Sequence, residues 1–294
     1  MSNKEEAFEE IKKKTVKEID FTENFLIPRF GMGIIQHLVY DFVLCNEDKK
    51  LFLEKIKNKK LEELYVNSGI LTDSDTDLTN FIKYSLEIYQ KSILISIVAV
   101  DKFNSYKLID NTILNYVNKK CIHHDLITNN GKDIWYRKDV FKNKKVLFIS
   151  SHAETMKSQW ESGNVIKGYQ DKNENFPNTK FIFCEMILNT GIKDKDKLDN
   201  WKLIMEKMKN KINKIDFDIA LISAGGYANL LCDYIYTDLK KSACNKGGNM
   251  QILFCIKGQR WDVRDDVSKL YNQYWIRHTP KYPELYNIEN GCYW

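Results

Sequence analysis

From Lys145 onward the chain alternates short apolar runs with helix-length amphipathic stretches, and that alternation leaves few folds open. Val146–Ile149 reads as a strand, residues 152–163 as a helix and Phe181–Cys184 as a strand. Residues 198–213 read as a helix with Trp201, Ile204, Met205 and Met208 on one face, followed by a strand that begins at Phe217 and carries the apolar run Ile219–Ile222. Strands separated by helices of that length need crossover connections, which implies an α/β, Rossmann-like parallel sheet with helices on both faces. Ligands of such sheets bind beyond the carboxyl ends of the strands. Three segments are expected there: Ser150-Ser151-His152, Ser223 to Tyr227, and Gly247 to Asn249.

Two of those segments carry glycine pairs. Ile219–Ile222 runs into Ser223-Ala224-Gly225-Gly226, and a helical pattern follows from Tyr227 through Leu239. Gly247-Gly248 precedes a second helix-like run, Met250 to Ile256. A glycine turn ahead of a helix lets backbone approach a ligand and presents free N–H groups to an anion such as a diphosphate. The spacing is not GxGxxG, and a tight packing turn without a ligand accounts for it equally well.

The first 140 residues are mainly helical in pattern. Helices are expected at 4–19, 34–44, 49–66, 77–90 and 107–118, with a short strand at Phe25–Pro28 and a buried one at Ile93–Val100. Asp73-Ser74-Asp75-Thr76-Asp77 resembles the start of a calcium loop, but Leu78 and Tyr84 stand where Gly and a bidentate Glu are needed. These acids read as helix caps rather than as a Mn²⁺ or Mg²⁺ pair. Residues 141–262 form the Rossmann-like portion, and 263–294 an aromatic tail wrapped over it.

The 45 basic and 40 acidic residues are intermixed, so the net charge of +5 makes no stripe for nucleic acid. The longest apolar run is too short to span a bilayer, and the N-terminus MSNKEEAFEEIKKK has no apolar signal core, which leads to the expectation of a cytoplasmic protein. Seven cysteines without a CxxC pair argue against a disulfide framework or a zinc ribbon, and most are expected to be buried.

Several side chains are candidates for chemistry, each with a structural alternative. His152 can hydrogen-bond a diphosphate, act as an acid, or cap its own helix; Ser150 and Ser151 can donate to phosphate or cap. Tyr227 can stack on a base, and Asn229, Asn249 and Gln251 can read base or ribose edges, or each can simply pack. Lys257 and Arg260 beside Trp261 suit a diphosphate with a stacked ring, or a salt-bridged loop around a buried indole. Arg29 can pair with phosphate or with a carboxylate of the fold, and Gln159 reads as a surface or acceptor-side residue. His37, His123, His124 and His278 lie in no recognisable nucleophile turn, and the pair 123–124 reads as solvent-facing.

VLFISSHAETMKSQ at 146–159, FDIALISAGGYANLL at 217–231, GGNMQILFCIKGQRWD at 247–262, YNQYWIR and the terminal NGCYW occur in order across about half the chain. On these blocks the sequence resembles a family of bacterial and large-DNA-virus proteins with a GT-D-type glycosyltransferase-like fold. The resemblance implies a single GT-D-like domain over 1–294 that transfers a sugar from a nucleotide-sugar donor to a glycan or protein acceptor. It also implies an Arg-x-Gly segment with acids serving a metal, Mn²⁺ or Mg²⁺, and the reaction. Arg29 and Gly31 match that segment, but Met32, Gly33 and Ile34 stand where Asp and Glu are expected. The chain then either uses another carboxylate, works without metal, or is a non-catalytic nucleotide-binding or structural protein. A dinucleotide-dependent oxidoreductase is disfavoured, because neither the glycine fingerprint nor its ribose-binding acid is present.

Overall fold

A computed structural model describes residues 23–31, 33–56, 61–93, 95–97, 104–119, 121–123, 141–169, 178–187 and 189–294. In chain order its strands are β1 (Leu26–Ile27), β2 (Ile95–Ile97), β3 (Cys121–His123), β4 (Lys145–Ser150), β5 (Lys180–Glu185), β6 (Ile219–Ser223), β7 (Ser242–Asn245), β8 (Ile256–Lys257) and β9 (Ile276–Arg277). Helices α1 (Ile34–Leu44), α2 (Lys49–Ile56), α3 (Glu62–Val66), α4 (Asp75–Lys91) and α5 (Asn104–Val117) precede β4. After it come α6 (Ala153–Glu161), α7 (Asn164–Gly168), α8 (Trp201–Ile212), α9 (Ala228–Thr237), α10 (Met250–Leu253), α11 (Gln259–Asp262) and α12 (Asp265–Ser268). The expected helix at 4–19, Met32 and His124 lie outside the described residues.

The main sheet has five parallel strands in the order β1-β7-β6-β4-β5. From β4 the chain moves outward to β5, returns across β4 to β6, and continues to β7. The order therefore reverses between β4 and β6, where open α/β sheets form their crevice. Alternate residues face opposite ways on a strand, and here both faces are apolar. Leu147, Ile149, Ala220, Ile222 and Ala243 share one core with α1, α4, α8 and α9. Val146, Phe148, Ile219, Leu221 and Cys244 share the other with Met156 of α6, Val165 of α7 and Met250 and Leu253 of α10. Cys45, Cys184, Cys232, Cys244 and Cys255 are buried free thiols.

Two expectations need correction. The run Met250–Ile256 is helical only to Leu253; Cys255 takes a left-handed φ of 55°, and Ile256 starts β8. Gln159 is no surface residue but a buried staple, its Nε2 donating to the carbonyls of Phe254, Cys255 and Tyr274. It ties α6 to the chain before and after the tail begins. In the tail, β9 pairs parallel to β8 and Trp275 is buried.

At 73–77 the cap of the helix is Ser74 rather than one of the acids beside it. Ser74 Oγ accepts the Asp77 N–H at 3.1 Å, and Asp77 Oδ2 accepts the Asp73 N–H at 3.1 Å, a reciprocal cap at the start of α4. The same buried carboxylate accepts from Asn200 Nδ2 at 2.9 Å and Trp201 Nε1 at 3.3 Å, and pairs with Lys202 at 2.5 Å. One side chain thus locks α4 to the start of α8. Asp77→Ala leaves those donors without their acceptor and is expected to lower unfolding stability by about 2 to 3 kcal/mol in urea denaturation; a loss below about 0.5 kcal/mol would contradict this role.

Candidate functional site

All five strands of the main sheet end on one cavity of about 550 Å³. That volume lies within the range of small-molecule sites. β1 delivers Arg29 and Gly31, β4 Ser151 and His152, β5 Met186, Ile187, Asn189 and Thr190, β6 Ser223 to Tyr227, and β7 Asn245 and Gly247 to Asn249. Gln251, Arg260 and Trp261 complete that side. The cavity therefore gathers Arg29, Gly31, Ser151, His152, Gly225, Gly226, Tyr227, Gly247, Gly248, Asn249, Gln251, Arg260 and Trp261. It does not gather Ser150 or Lys257. Ser150 is fully buried, and its Oγ accepts the His152 N–H at 3.1 Å in the turn ahead of α6. The Lys257 ammonium instead stands 5.1 Å above the Tyr271 ring.

The glycine turns have different jobs. Gly225 and Gly247 hold left-handed φ values of 53° and 52°, which side chains with a Cβ rarely adopt. A Cβ on Gly247 would run into the Arg29 guanidinium, so this turn leaves room for a cation at the cavity wall. Gly226 makes room for the protein itself: its N–H donates to Ser68 O at 3.0 Å, and a Cβ there would lie 2.7 Å from that oxygen. Tyr227 is 2% exposed and its hydroxyl donates to Gly69 O at 2.7 Å, so its ring packs under the wall rather than standing free to stack. Asn229 works as a clamp. Its Oδ1 accepts from the Arg29 N–H at 3.0 Å and Asn245 Nδ2 at 2.8 Å, while its Nδ2 donates to Arg29 O at 3.0 Å.

Sequence reasoning missed the far wall. Ile288, Glu289, Cys292, Tyr293 and Trp294 of the tail line the cavity. Tyr293 lies under Arg260, whose guanidinium carbon sits 3.8 Å from the ring centroid. Arg260 Nη2 also donates to Glu289 Oε2 at 2.6 Å. Glu289 and Asn290 adopt left-handed φ values of 45° and 56°, a sharp bend that brings the carboxylate to Arg260. The aromatic density of YNIENGCYW was the available signal, because a tail this rich in Tyr and Trp must be buried against something.

Among the described lining residues the charges are three arginines, 29, 260 and 264, against one carboxylate, Glu289. Arg264 is occupied by Asp266 at 2.5 Å. This wall suits an anion. It does not fit a Mn²⁺ or Mg²⁺ ion, which needs several oxygen ligands: Glu289 is held by Arg260, and no cluster of three ligating residues occurs among the described residues.

His152 is 5% exposed, with its ring stacked on Trp294 at 4.9 Å and the His278 ring 4.5 Å away. Burial, with His278 beside it, pushes its pKa down to about 3, so the imidazole is neutral at physiological pH. In the unfolded chain it would titrate near 6.5, and the unfolded state alone then gains a proton below that pH. Stability is fully present above pH 6.5 and falls as pH drops toward 3. Between pH 7 and 5 the wild type is expected to lose about 2 kcal/mol that a His152→Gln variant does not lose, read from urea unfolding at both values. Equal pH slopes in the two proteins would contradict the neutral, buried state.

Residues 120–253 match the family model of a GT-D fold-like domain. That stretch holds β4 to β7 and the two glycine turns, while Arg29 and the tail wall lie outside it. No curated protein and no solved structure matches the chain. Among the described residues no helix is long and apolar enough to cross a membrane. With its parallel sheet and this match, the chain carries a GT-D-type glycosyltransferase-like fold.

Proposed function

We propose that the cavity binds a nucleotide-sugar donor and that the chain transfers the sugar to a hydroxyl of a glycan or protein acceptor. The observation that carries this reading is the convergence of five parallel strand ends of a GT-D-type fold on a cavity walled by Arg29 and Arg260. In the reaction a bond forms between the acceptor oxygen and the sugar C1 as the C1–oxygen bond to the diphosphate breaks. Negative charge grows on the leaving oxygen, and fixed guanidinium groups stabilise it more in the transition state than in the bound donor. The acceptor hydroxyl must give up its proton. Glu289 is the carboxylate of the described wall, and it takes that proton as general base once the diphosphate has drawn Arg260 away from it. His152 is unsuited to that task, since both ring nitrogens are engaged and burial suppresses its basicity. No step is routed through a metal.

A second reading is a nucleotide-binding protein without catalysis. It is favoured by the Arg260–Glu289 pair, which occupies both charged groups, and by Gly33 and Ile34 at positions where acids are expected.

A thermal-shift screen against nucleoside diphosphates and nucleotide sugars separates these readings from no binding at all. Ligand that binds only the folded state raises the midpoint by mass action, and one nucleotide-sugar class at millimolar concentration is expected to do so. No shift with any of them would overturn both readings. Where turnover is then seen, Glu289→Gln is expected to lower it by about 100-fold or more with donor affinity within a few-fold. Arg260→Ala should cost more than about tenfold, and Lys257→Ala should stay within about twofold. Binding without release of the diphosphate to any acceptor would favour the second reading.

A further inference from the structure

One chain of hydrogen bonds in the cavity wall has its donors and acceptors fixed by chemistry. Trp261 Nε1–H lies 3.1 Å from Gln251 Oε1, and an indole N–H can only donate. Gln251 Nε2 lies 2.7 Å from the Tyr293 carbonyl oxygen, which can only accept. Flipping the amide would set nitrogen against the indole N–H and oxygen against the carbonyl, so the orientation has one solution. The same Nε2 is 3.3 Å from His152 Nε2. Because the amide donates there, His152 Nε2 must be the bare nitrogen, and the single ring proton is on Nδ1. His152 Nδ1 is 3.1 Å from Ser151 Oγ, which it therefore uses as an acceptor. A protonated imidazolium, or the Nε2–H tautomer, would point hydrogen at hydrogen across the Gln251 contact. The stacked Trp294 ring holds the imidazole plane in place.

The Ser151 hydroxyl thus accepts from behind and has its own proton to give. Among the described residues it meets no acceptor, and Ser151 lines the same cavity as Arg29 and Arg260.

We propose that Ser151 is a ligand-binding residue whose hydroxyl donates to a phosphoryl oxygen, its proton aimed into the cavity by the relay Trp261–Gln251–His152. Trp261, Gln251 and His152 are positioning residues in this arrangement, and of these four Ser151 alone touches the phosphoryl group. The site selects an acceptor oxygen at that point and disfavours a ligand group that can only donate. The choice of phosphoryl oxygen rests on the nucleotide-sugar reading and on the two guanidiniums; the direction of the relay rests on neither.

The test has two arms on the full chain. Long-range ¹H–¹⁵N NMR of the imidazole nitrogens is expected to show His152 as the neutral Nδ1–H tautomer from pH 8 to 5. In Trp261→Phe, where Gln251 loses its anchor, the nitrogen shifts should move toward a mixture of tautomers. An Nε2–H tautomer in the wild type, or titration near pH 6.5, would overturn the relay. The second arm measures inorganic pyrophosphate by calorimetry. Ser151→Ala is expected to weaken it by about tenfold, with Ser151→Thr restoring it to within about threefold, and Trp261→Phe lying between. Unchanged affinity in Ser151→Ala, or no pyrophosphate binding by the wild type, would overturn the assignment of Ser151. Pyrophosphate binding that depends on Ser151, with UDP-glucose and other nucleotide sugars binding no more tightly, would support Ser151 and overturn the nucleotide-sugar reading alone.

Discussion

Parallel pairing is the constraint on which the rest of this molecule depends. It sends the carboxyl ends of all five strands to one edge of the sheet, so every loop that leaves a strand there must share one volume. Those strands are apolar on both faces, which commits the helices to cover them and leaves the strand ends as the place for polar groups. Asn189, Asn229 and Asn245 bond mainly to backbone and to one another, while Ser151 and Gln251 bond to the side chains of His152 and Trp261 and to the Tyr293 carbonyl. The polarity of the cavity is therefore part of the fold's own hydrogen-bond satisfaction as well as a means of recognition.

The cavity is closed by parts of the chain distant in sequence. Arg29 reaches it from the edge strand β1, Ser68 and its neighbours press against the turn after β6, and the tail brings Glu289 and Trp294 across the opening. The stretch that matches the GT-D fold-like domain supplies strands β4 to β7 of the sheet and the glycine turns. Both guanidiniums and the carboxylate come from outside it. In this chain the scaffold and the charged groups that would act on a donor are thus encoded in separate segments, and the tail holds its share by stacking, Tyr293 against Arg260 and Trp294 against His152.

Much of this was legible in the sequence. The alternation after Lys145 placed β4, β5, β6 and their helices to within a few residues, because these three buried strands are largely continuous apolar runs. The strand Ser242–Asn245 was not foreseen, since SACN carries only two apolar residues and its burial comes from neighbours on both sides. Strand order was equally hidden, because the pairing of β1 with β7 joins residues more than two hundred apart. The glycine pairs lie on the cavity wall, but Gly226 answers to Ser68 rather than to open space, which a turn signature cannot tell apart. Lys257 and Arg260 looked equivalent as cations near Trp261; the short helix α11 turns Arg260 inward, and β8 carries Lys257 to Tyr271. Glu289 was invisible because its position depends on two consecutive left-handed residues at the bend.

The strand-end cavity, closed by the tail, is the place we propose for a nucleotide sugar. Hydrogen–deuterium exchange with and without the nucleotide sugar that best stabilises the protein tests it most directly, since it reports location as well as binding. Slowed exchange is expected at three places together: the backbone of 223–227, that of 245–249, and the tail segment 283–294. Protection confined to other surfaces, with those three segments unchanged under saturating ligand, would contradict it.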